Sequence, residues 1–438
     1  MRKKFLTAAV AAVGALALGL TGCSTSGNAS EGGGEVKLTF WDHSGNPTRA
    51  KVYEKLIDQY EKENKGVTIE FLTLPSDSAF DKIQTSLASG SGPDIASLSG
   101  TFLAPLTAQE ALVKLDDKVK GSELDGKIDP ELVEVMRADA RDGGLYALPY
   151  TFTNGILWYR TDLWKNAGYP DGITSWDDFY TGTVKLTDPA AGQQGFAMRG
   201  GAGGVFQFLQ AMYAESGVDT LFDDKGVSTV DDPKNVEAFT KYTELYKKAT
   251  SEADLGFGYP EMVAAFDSGA AATVQHNLGS FAEHEAAIPG KFAAAPLPES
   301  ASGERVIVAD PIPSFGIFKN SKNQEEAWKF MEFLLGTEAN GELNKVIGQI
   351  PSNLDARGEA WLKDSQSVSS ATEWVSGDNA VILTPPTHLP DYGTIMRTDM
   401  EPQLQRVLLG EMKPKEFLTT LADKLTTAQQ KYLEETSK

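Results

Sequence analysis

The stretch VKLTFWDHSGNPTRAKVYEKLIDQYEKENKGVTIEF, residues 36–71, carries a strand pattern, a helix pattern and a second strand pattern. Its two ends, Val36–Trp41 and Val67–Phe71, alternate apolar and polar side chains, which is typical of strands. Between them, Pro47 suits the first turn of a helix, because the N–H that proline lacks has no partner there. An apolar stripe at helical spacing follows, at Val52, Tyr53, Leu56, Ile57 and Tyr60. The stretch therefore predicts a β-α-β unit.

A second unit of the same kind follows the first. A helix pattern over residues 77–87 ends in a run of serine, glycine and proline, and residues 94–98 form a third strand pattern. Repeated β-α-β units predict an α/β fold with a mostly parallel sheet that helices cover on both faces. Because ligands bind beyond the carboxyl ends of such strands, we expect a site in the loops after Phe40, Leu72 and Leu98.

Two domains are expected, because 438 residues exceed what one hydrophobic core usually holds. Further helix patterns are present at residues 177–184, 203–215, 233–249 and 260–267. Strand-like pieces are present at residues 271–274, 291–295, 306–308 and 315–318. Near the end, Ser321–Gln324 fits a capping box that opens a helix over Glu325–Leu335.

The first residues of the chain are built like a secretory signal. A positive start precedes the uncharged apolar stretch Phe5–Leu20, and the run Leu20–Cys23 ends in the only cysteine of the chain. This run resembles the lipobox of bacterial lipoproteins, which implies cleavage before Cys23 and attachment of lipid, palmitate included, to that residue. An ordinary signal peptide that happens to contain a cysteine is the alternative.

A flexible linker and an acidic folded part come next. Residues 24–35 are rich in serine and glycine and carry no large apolar side chain before Val36, so they cannot bury a core. The net charge of −21 argues against nucleic acid or an anionic membrane surface as a direct electrostatic partner. No later stretch is apolar for about 18 residues, so we expect the lipid to be the only membrane attachment.

Catalytic and metal-binding motifs are missing from the sequence. The patterns G-x-S-x-G, H-E-x-x-H and G-x-x-x-x-G-K-[ST] do not occur. The four histidines are far apart in sequence, and the single cysteine is assigned to lipid. We therefore expect that the protein is not an enzyme and uses no cofactor and no metal.

Several short motifs occur in a characteristic order. They are Leu38–Trp41, Gly92–Ile95, Gly144–Pro149, Trp158–Trp164, Ser175–Phe179, Met262–Ala272 and Ser321–Leu335. With this order and spacing, behind a lipobox, the chain resembles the extracellular solute-binding proteins of bacterial ABC importers. The resemblance is to their carbohydrate-binding group, the family 1 type that is similar to maltose-binding protein.

The resemblance implies a two-lobed periplasmic-binding-protein fold of the α/β class, in which each lobe is a mostly parallel sheet flanked by helices. Three crossovers form the hinge, and we place them near Pro149–Gly155, Val308–Pro313 and Gln349–Ser352. The expected parts are a signal peptide at 1–22, the lipidated cysteine and linker at 23–35, lobe 1 at 36–150 plus 310–350, and lobe 2 at 151–309 plus 351–438.

The resemblance also implies a function. A monomer, anchored to the outside of the cell membrane by lipid, captures a carbohydrate between its lobes and delivers it to the permease subunits of an ABC importer. An oligosaccharide is the expected ligand, and the typical ligands of such proteins are uncharged. The alternatives are a lipid-anchored glycoside-processing enzyme, which needs two carboxylates at a set separation, and a surface adhesin, which needs no hinged cleft.

A sugar presents flat C–H faces and a rim of hydroxyl groups, so its site needs aromatic rings and side chains that both donate and accept hydrogen bonds. Side chains of these types lie in the segments that the resemblance directs toward the cleft. The candidates are Trp41, Asp42, His43, Tyr150, Phe152, Asn154, Phe206, Gln207, His276, Asn277, Asp310, Pro311, His388, Asp391 and Tyr392.

Two of these candidates have an equally good structural interpretation. Trp41 is either a ligand contact or a core residue at the end of its strand. Asp310 either accepts hydrogen bonds from sugar hydroxyls or stabilises a hinge turn through a local backbone bond. By contrast, Trp158 and Trp164 are expected to pack in the core, and His284 lies on a predicted helix and needs no role in binding.

The lipobox interpretation makes a direct prediction. Replacing Cys23 with alanine removes the sulfur that would carry the lipid, so Cys23→Ala should move the protein from the membrane fraction to the soluble fraction. The melting temperature should stay the same, because the cysteine precedes the folded part. A folded Cys23→Ala variant that stays in the membrane fraction would contradict the lipobox.

Overall fold

The computed structural model describes residues 35–364 and 379–436. The signal segment, Cys23 and nearly all of the linker lie outside the described residues. Twelve strands are present within the described ranges: β1 Val36–Asp42, β2 Val67–Thr73, β3 Ile95–Leu98, β4 Leu148–Pro149, β5 Thr151–Phe152, β6 Gly155–Arg160, β7 Thr273–Asn277, β8 Phe292–Ala295, β9 Arg305–Val308, β10 Ser314–Ile317, β11 Ile350–Pro351 and β12 Ala380–Leu383.

The α-helices in the same ranges are α1 Pro47–Glu63, α2 Ala79–Ala88, α3 Gly100–Ala108, α4 Asp116–Val119, α5 Pro130–Ala138, α6 Thr161–Asn166, α7 Trp176–Lys185, α8 Gly204–Ser216, α9 Pro233–Thr243, α10 Tyr259–Asp267, α11 Phe281–Ala287, α12 Gln324–Leu335, α13 Thr337–Ile347, α14 Ala360–Asp364, α15 Tyr392–Thr394, α16 Glu401–Leu408 and α17 Pro414–Thr436. Short 3-10 turns lie at Glu252–Gly256, Leu278–Ser280 and Asp355–Gly358, and a π turn lies at Ile395–Asp399. Within the ranges that the structure covers, we find no helix with the length and apolar character of a membrane span.

The first lobe is built on a five-stranded sheet in the order β2-β1-β3-β10-β4. β1 runs parallel to β2 and to β3, so Phe40 lies between Phe71 and Ile95. The β-α-β interpretation is confirmed here, and all five predicted stripe residues of α1 are buried. β10 is antiparallel to β3 and β4. The chain enters β10 from the hinge, at the edge of the sheet where β1 and β3 end. β10 therefore runs in the opposite direction to these strands.

The second lobe contains a three-stranded sheet, β7-β6-β8, and a separate parallel pair, β9 with β12. Both pairings of β6 are antiparallel. The expectation of a mostly parallel sheet is therefore wrong for this lobe, although the two-lobed α/β fold is confirmed. The physical reason is the hinge. β6 leads away from it at Gly155, and β7 leads back to it at Asn277, which pairs with Gly155.

Each lobe has its own hydrophobic core. The core of lobe 1 combines residues between Leu38 and Tyr150 with residues between Ile312 and Ile347. In lobe 2 the larger cluster contains Trp164, and a smaller one contains Trp158, so both tryptophans pack as expected. Because the buried residues of the two lobes form separate clusters, with only the partly buried Phe152 of the first joining segment packing against both, the lobes can move relative to each other at the segments that join them.

Three segments join the lobes. The first is Tyr150–Asn154, which leads from β4 to β6, and the second is residues 309–313, between β9 and β10. An isolated bridge between Asn154 and Ala309 pairs these two. The third segment contains β11, which pairs with β5 of the first segment.

The lobe boundaries are our assignment from these contacts. Residues beyond β11 still bond to lobe 1, since the N–H of Leu354 donates to the carbonyl of Lys127 at 2.8 Å. Trp361 packs against the smaller core cluster of lobe 2. We therefore propose that lobe 1 comprises residues 36–150 and 310–349, that the third joining segment runs over residues 350–358 and stays bonded to lobe 1, and that lobe 2 is formed by residues 151–309 and by the chain beyond residue 358.

The expected capping box at α12 is wrong. Asn323, not Ser321, precedes the first residue of the helix, and its side chain makes no capping bond. The hydroxyl of Ser321 instead accepts from the N–H of Asn323 at 3.1 Å and donates to a carboxylate oxygen of Asp94, 2.6 Å away and directly before β3. Ser321 thus bonds one residue short of the helix and to a distant strand, and does not cap the helix.

The core of lobe 1 depends on one aromatic side chain. The ring of Phe40 contacts four others, from α1, β2, β10 and α12: Tyr53, Phe71, Phe315 and Phe330. Phe40→Ala should therefore lower the free energy of unfolding by about 3–5 kcal/mol, because it removes these contacts and leaves a cavity. Urea unfolding followed by circular dichroism measures this loss.

Leu409→Ala is the control, since Leu409 is 47% exposed and follows α16. It should change the free energy of unfolding by about 0.5 kcal/mol or less. Equal effects of the two substitutions would show that Phe40 does not hold the elements of the lobe together.

Candidate functional site

A cavity of about 220 Å³ lies between the two lobes. Its lobe 1 wall is formed by the loops that follow β1, β2 and β3, as the β-α-β pattern predicts. These loops contribute His43, Ser44, Asn46, Ser76, Ser99 and Thr101. The lobe 2 wall consists of side chains from α8 and from β7 and its flanking turn, with Arg199, Tyr259 and Arg397. The hinge segments close the bottom of the cavity with Thr153, Asp310, Pro311, Pro313 and Gln349.

Seven of the predicted site residues line this cavity. They come from the first strand end, from α8, from β7 and from the second crossover: His43, Phe206, Gln207, His276, Asn277, Asp310 and Pro311. No two of the four segments are adjacent in the chain, so the fold brings them together.

Other predicted residues lie just below the lobe 1 wall. Trp41 is half-buried and packs against the lobe 1 core, in agreement with its structural interpretation. Asp42 is fully buried and accepts hydrogen bonds from the hydroxyls of Ser44 and Thr73, at 2.5 and 3.2 Å. These bonds fix the loop that follows β1, so Asp42 supports the wall without lining the cavity.

Tyr150, Phe152 and Asn154 belong to the first crossover and do not line the cavity either. The hydroxyl of Tyr150 accepts a hydrogen bond from Nη1 of Arg49 at 3.0 Å. Phe152 packs at the edge of the lobe cores. Asn154 is 2% exposed and faces a small gap of about 10 Å³ behind the hinge.

The segment around His388 lies away from the cavity. Nε2 of His388 is 2.9 Å from Oε1 of Gln429, on α17. Asp391 is exposed in front of α15, and its side chain makes no capping bond. Tyr392 is buried, and its ring meets the ring of Phe206 edge-on at 5.7 Å. Of this group only Tyr392 contacts the site, as a support for Phe206.

Asp310 is held by two amides of lobe 2. Its Oδ1 accepts from Nε2 of Gln210 at 2.8 Å, and its Oδ2 accepts from Nδ2 of Asn277 at 3.0 Å. Burial raises the pKa of this carboxyl, which the two hydrogen bonds oppose. Each carboxylate oxygen keeps a free lone pair, so Asp310 can hold the hinge and still accept from a ligand hydroxyl.

The two histidines of the cavity are neutral at pH 7. Burial lowers the pKa of His43 to about 4, and its Nδ1 is 2.9 Å from the hydroxyl of Ser97. Burial also lowers the pKa of His276, whose ring stacks on Tyr259 with centroids 4.7 Å apart. A neutral imidazole donates from one nitrogen and accepts at the other, which suits a hydroxyl group.

Five polar atoms of residues around the cavity are buried and have no hydrogen-bond partner in the described part of the chain. Three belong to uncharged side chains, Nδ1 of His276, Oγ1 of Thr153 and Oε1 of Gln349, and two are Nε of Arg49 and Nε of Arg397. Leaving such an atom unpaired costs about 1–3 kcal/mol. A ligand with hydroxyl groups would supply the missing partners.

Sequence reasoning missed several residues of the site, above all Arg49, Arg199, Tyr259 and Arg397. None of them follows the end of a predicted strand, so their positions gave no signal. Asn46 could have been found, because an asparagine directly before a proline is a typical helix start. Its Oδ1 indeed caps α1 by accepting from the N–H of Arg49 at 2.8 Å.

One hydrogen-bond network connects the lobes at the edge of the cavity, and we call it the interlobe lock. It consists of Asn46 from lobe 1 with Tyr259 and Glu283 from lobe 2. Nδ2 of Asn46 donates to the Tyr259 hydroxyl at 2.9 Å and to Oε1 of Glu283 at 3.0 Å. The Tyr259 hydroxyl donates to the same Oε1 at 2.5 Å. These bonds exist only while the lobes are together.

The interlobe lock contains a group that titrates near neutral pH. Burial raises the pKa of the Glu283 carboxyl to about 7, from an ordinary value of 4.5. Hydrogen bonds from Tyr259 and Asn46 and the charge of Arg49 oppose this shift, whereas the charge of Asp267 adds to it. Because the folded pKa is raised, the stabilising contribution is complete at low pH and is lost as the pH rises through about 7.

This predicts a pH dependence that one substitution removes. Between pH 5.5 and 8 the melting temperature of the wild type should fall by about 2 °C more than that of Glu283→Gln, whose amide stays neutral. Thermal unfolding of both proteins in the same buffers gives the two melting temperatures at each pH. Groups that titrate alike in both proteins drop out when one melting temperature is subtracted from the other. Parallel curves for the two proteins would contradict a titrating carboxyl in the interlobe lock.

The chain is similar to known proteins over most of its length. It is 24% identical to the erythritol/L-threitol-binding protein of Mycolicibacterium smegmatis over 79% of each chain. Its fold resembles the GacH receptor of Streptomyces glaucescens, solved unliganded and with acarbose, with a TM-score of 0.78, 22% identity and coverage of 90% of this chain and 98% of that one. Maltose-bound MalE3 of T. maritima matches with a TM-score of 0.78, 23% identity and coverage of 90% and 99%.

These matches agree with the two-lobed architecture and with the cleft between the lobes. Residues 44–341, more than half of the chain, match the family model described as bacterial extracellular solute-binding protein. The resemblance drawn from the short sequence motifs is thereby confirmed. The chain belongs to the family of bacterial extracellular solute-binding proteins.

Proposed function

We propose that this solute-binding protein captures a carbohydrate in the cavity between its lobes and delivers it to the permease subunits of an ABC importer. The observation that carries the proposal is the set of neutral polar groups on both walls and at the hinge. They include two histidines and three unpartnered buried atoms. An apolar ligand would leave these atoms unpaired.

The lobe 2 wall also offers a surface for the flat face of a sugar ring. Phe206 is half-buried and lines the cavity, where Tyr392 meets its ring edge-on and the guanidinium of Arg397 lies over it, so a sugar would share this ring with Arg397. Aromatic rings of this kind bind the C–H face of a sugar through apolar contact. The named relatives support the same class, because their descriptions mention erythritol, acarbose and maltose.

An oligosaccharide is the form of carbohydrate that we propose. A second space of about 350 Å³ lies beside the cavity, and both are lined by Arg397. The second space is more open and is bordered by Asp77, Ala202 and Glu401. A chain of two or more sugar units could extend from the cavity into this space.

Capture follows from the division of the site between the lobes. Contacts with His43 and Ser44 come from one wall, whereas contacts with Phe206 and His276 come from the other. A ligand reaches both sets only when the lobes are together, so it stabilises the closed form and shifts the population toward it. The permease can then distinguish loaded from empty protein by its shape.

Membership in an extracellular family places the protein outside the cytoplasm. We propose that it is held there as a monomer by a lipid on Cys23 after removal of residues 1–22. The support is the lipobox-like run and the linker that follows it, which lie outside the described residues. The linker would give the folded part freedom to meet its permease.

Three substitutions test the carbohydrate site. His276→Ala, Asn277→Ala and Asp310→Ala should each weaken binding of an oligosaccharide ligand at least about tenfold, because each leaves ligand hydroxyls without partners, at about 1–3 kcal/mol. Asp310→Ala should have the largest effect, since it also releases Gln210 and Asn277. A calorimetric screen against a panel of maltose, cellobiose and chitobiose series identifies the ligand and gives the affinities.

The matched control is His388→Ala, a histidine of the same chain that lies away from the cavity. It should bind like the wild type. If the three variants also bind like the wild type, the ligand lies elsewhere. Chromatography of the bound oligosaccharide tests the enzyme alternative. Turnover of the oligosaccharide, abolished by substitution of one carboxylate, would favour an enzyme.

A further inference from the structure

Three arginines line the cavity of this strongly acidic protein. Arg49 belongs to lobe 1, and Arg199 and Arg397 belong to lobe 2. The net charge of the whole chain is −21. A cavity with several positive side chains is therefore opposite in character to the rest of the molecule.

These arginines also differ from the others in their partners. The structure describes nine arginines, and the six outside the cavity each form an ion pair with a carboxylate within 4.0 Å: Arg137, Arg141, Arg160, Arg305, Arg357 and Arg406. Among the described residues, Arg49, Arg199 and Arg397 are the ones without such a pair. Since 61 acidic residues are available, the lack of partners is confined to the cavity.

The hydrogen bonds of the three arginines leave donors unused. Arg49 is 8% exposed and donates from Nη1 to Tyr150, but its Nε is buried without a partner within the described ranges. Nε of Arg397 is likewise buried and unpaired there. The guanidinium of Arg397 lies over the ring of Phe206, 5.9 Å from its centroid. Arg199 donates from Nε to the carbonyl of Ala202.

The nearby carboxylates act on these arginines through their charge, Asp42 on Arg49 and Glu401, Asp77 and Asp310 on Arg199, but none forms an ion pair with them within 4.0 Å, and most of them are bonded to other groups. Asp310 accepts from two amides, and Asp42 accepts from Ser44 and Thr73. Glu283 belongs to the interlobe lock, and Glu401 accepts from the backbone N–H of Gly203. Asp77 is exposed at the edge of the neighbouring space.

Charges of both signs act on these arginines. Burial, the main cause, and the charge of Arg397 lower the pKa of Arg199 to about 10, whereas Glu401, Asp77 and Asp310 oppose this shift. The charges of Arg49 and Arg397 both contribute to keeping His43 neutral, whereas the charge of Asp42 opposes it. Like charges in a partly buried space are destabilising unless an opposite charge joins them.

We propose that the cavity takes a carbohydrate that carries an anionic group, and that Arg49, Arg199 and Arg397 bind this group. The inference rests on the proposed function and departs from the uncharged ligand that the sequence resemblance implies. The guanidinium groups form charge-assisted hydrogen bonds with a carboxylate of a sugar acid or with a phosphate ester, and both are strong. Because the arginines come from both lobes, the anion would also draw the lobes together.

The test compares sugars that differ only in charge. Isothermal titration calorimetry of the full folded protein uses glucose, galactose and mannose, each beside its uronate and its 6-phosphate, together with galacturonate and mannuronate dimers beside the galactose and mannose dimers of the same linkage. At least one charged sugar should bind about tenfold or more tightly than its neutral counterpart. The uronates and the phosphates distinguish the two sources of negative charge.

Substitution of the arginines links this preference to the site. Arg397→Gln and Arg199→Gln should each weaken binding of the charged sugar about tenfold or more beyond any effect on its neutral counterpart. Arg406→Gln is the control, since Arg406 lies on α16 and pairs with Glu411. It should leave both affinities unchanged.

The outcomes separate this inference from the proposed function. If a neutral sugar binds as tightly as its charged counterparts, the anionic group is wrong and carbohydrate capture stands. If inorganic phosphate or malate binds and no sugar in the panel does, the anion site stands and carbohydrate capture is wrong. If none of these compounds binds, both are overturned.

Discussion

The carbonyl oxygen of Tyr150 accepts hydrogen bonds from the side-chain amides of Asn340 and Asn344, at 2.9 and 3.0 Å. These bonds fix the first crossover against α13, which leads directly into the third, and the second lies beside both. The N–H of Ser352, directly after β11, also donates to the carbonyl of Tyr150, at 3.4 Å, so the first and third crossovers meet at one oxygen. The cavity wall then follows, because the loops after β1, β2 and β3 end at the same edge of the sheet as β4.

The sequence predicts the parts of the fold that depend on local periodicity. α1 is the plainest case, since the spacing of Val52, Tyr53, Leu56, Ile57 and Tyr60 determines which face is buried, and all five are. Strand directions in lobe 2 could not be predicted, because β6 pairs with a strand more than a hundred residues later. Local patterns also fail where a side chain bonds to other groups, as when Ser321 bonds to Asp94 and to the N–H of Asn323 and does not cap the helix.

The residues of the site likewise divide into those that the local sequence reveals and those that it does not. His43, Phe206 and His276 could be found because each lies near the end of a predicted element that the resemblance directs toward the cleft. Arg49 could not, because on the sequence it is one more polar residue in a surface-like turn of α1. It is buried only because Tyr150, far along the chain, approaches it. The three cavity arginines stand out only in the folded structure, because only there can it be seen that every other described arginine has an ion-pair partner.

The antiparallel position of β10 has a consequence for how the protein reaches its folded state. β10 fills the place between β3 and β4, with Ser314 opposite Leu98 and Pro149. Until the chain has been translocated beyond residue 317, β3 has an unpaired edge and the first lobe cannot close its sheet. Such an edge invites pairing with another chain, and sheet closure over so many residues is slow. In the sequence, most of lobe 2 lies between β4 and β10. Its folding would bring these two strands together and so shorten the time that β10 needs to find its place in the sheet.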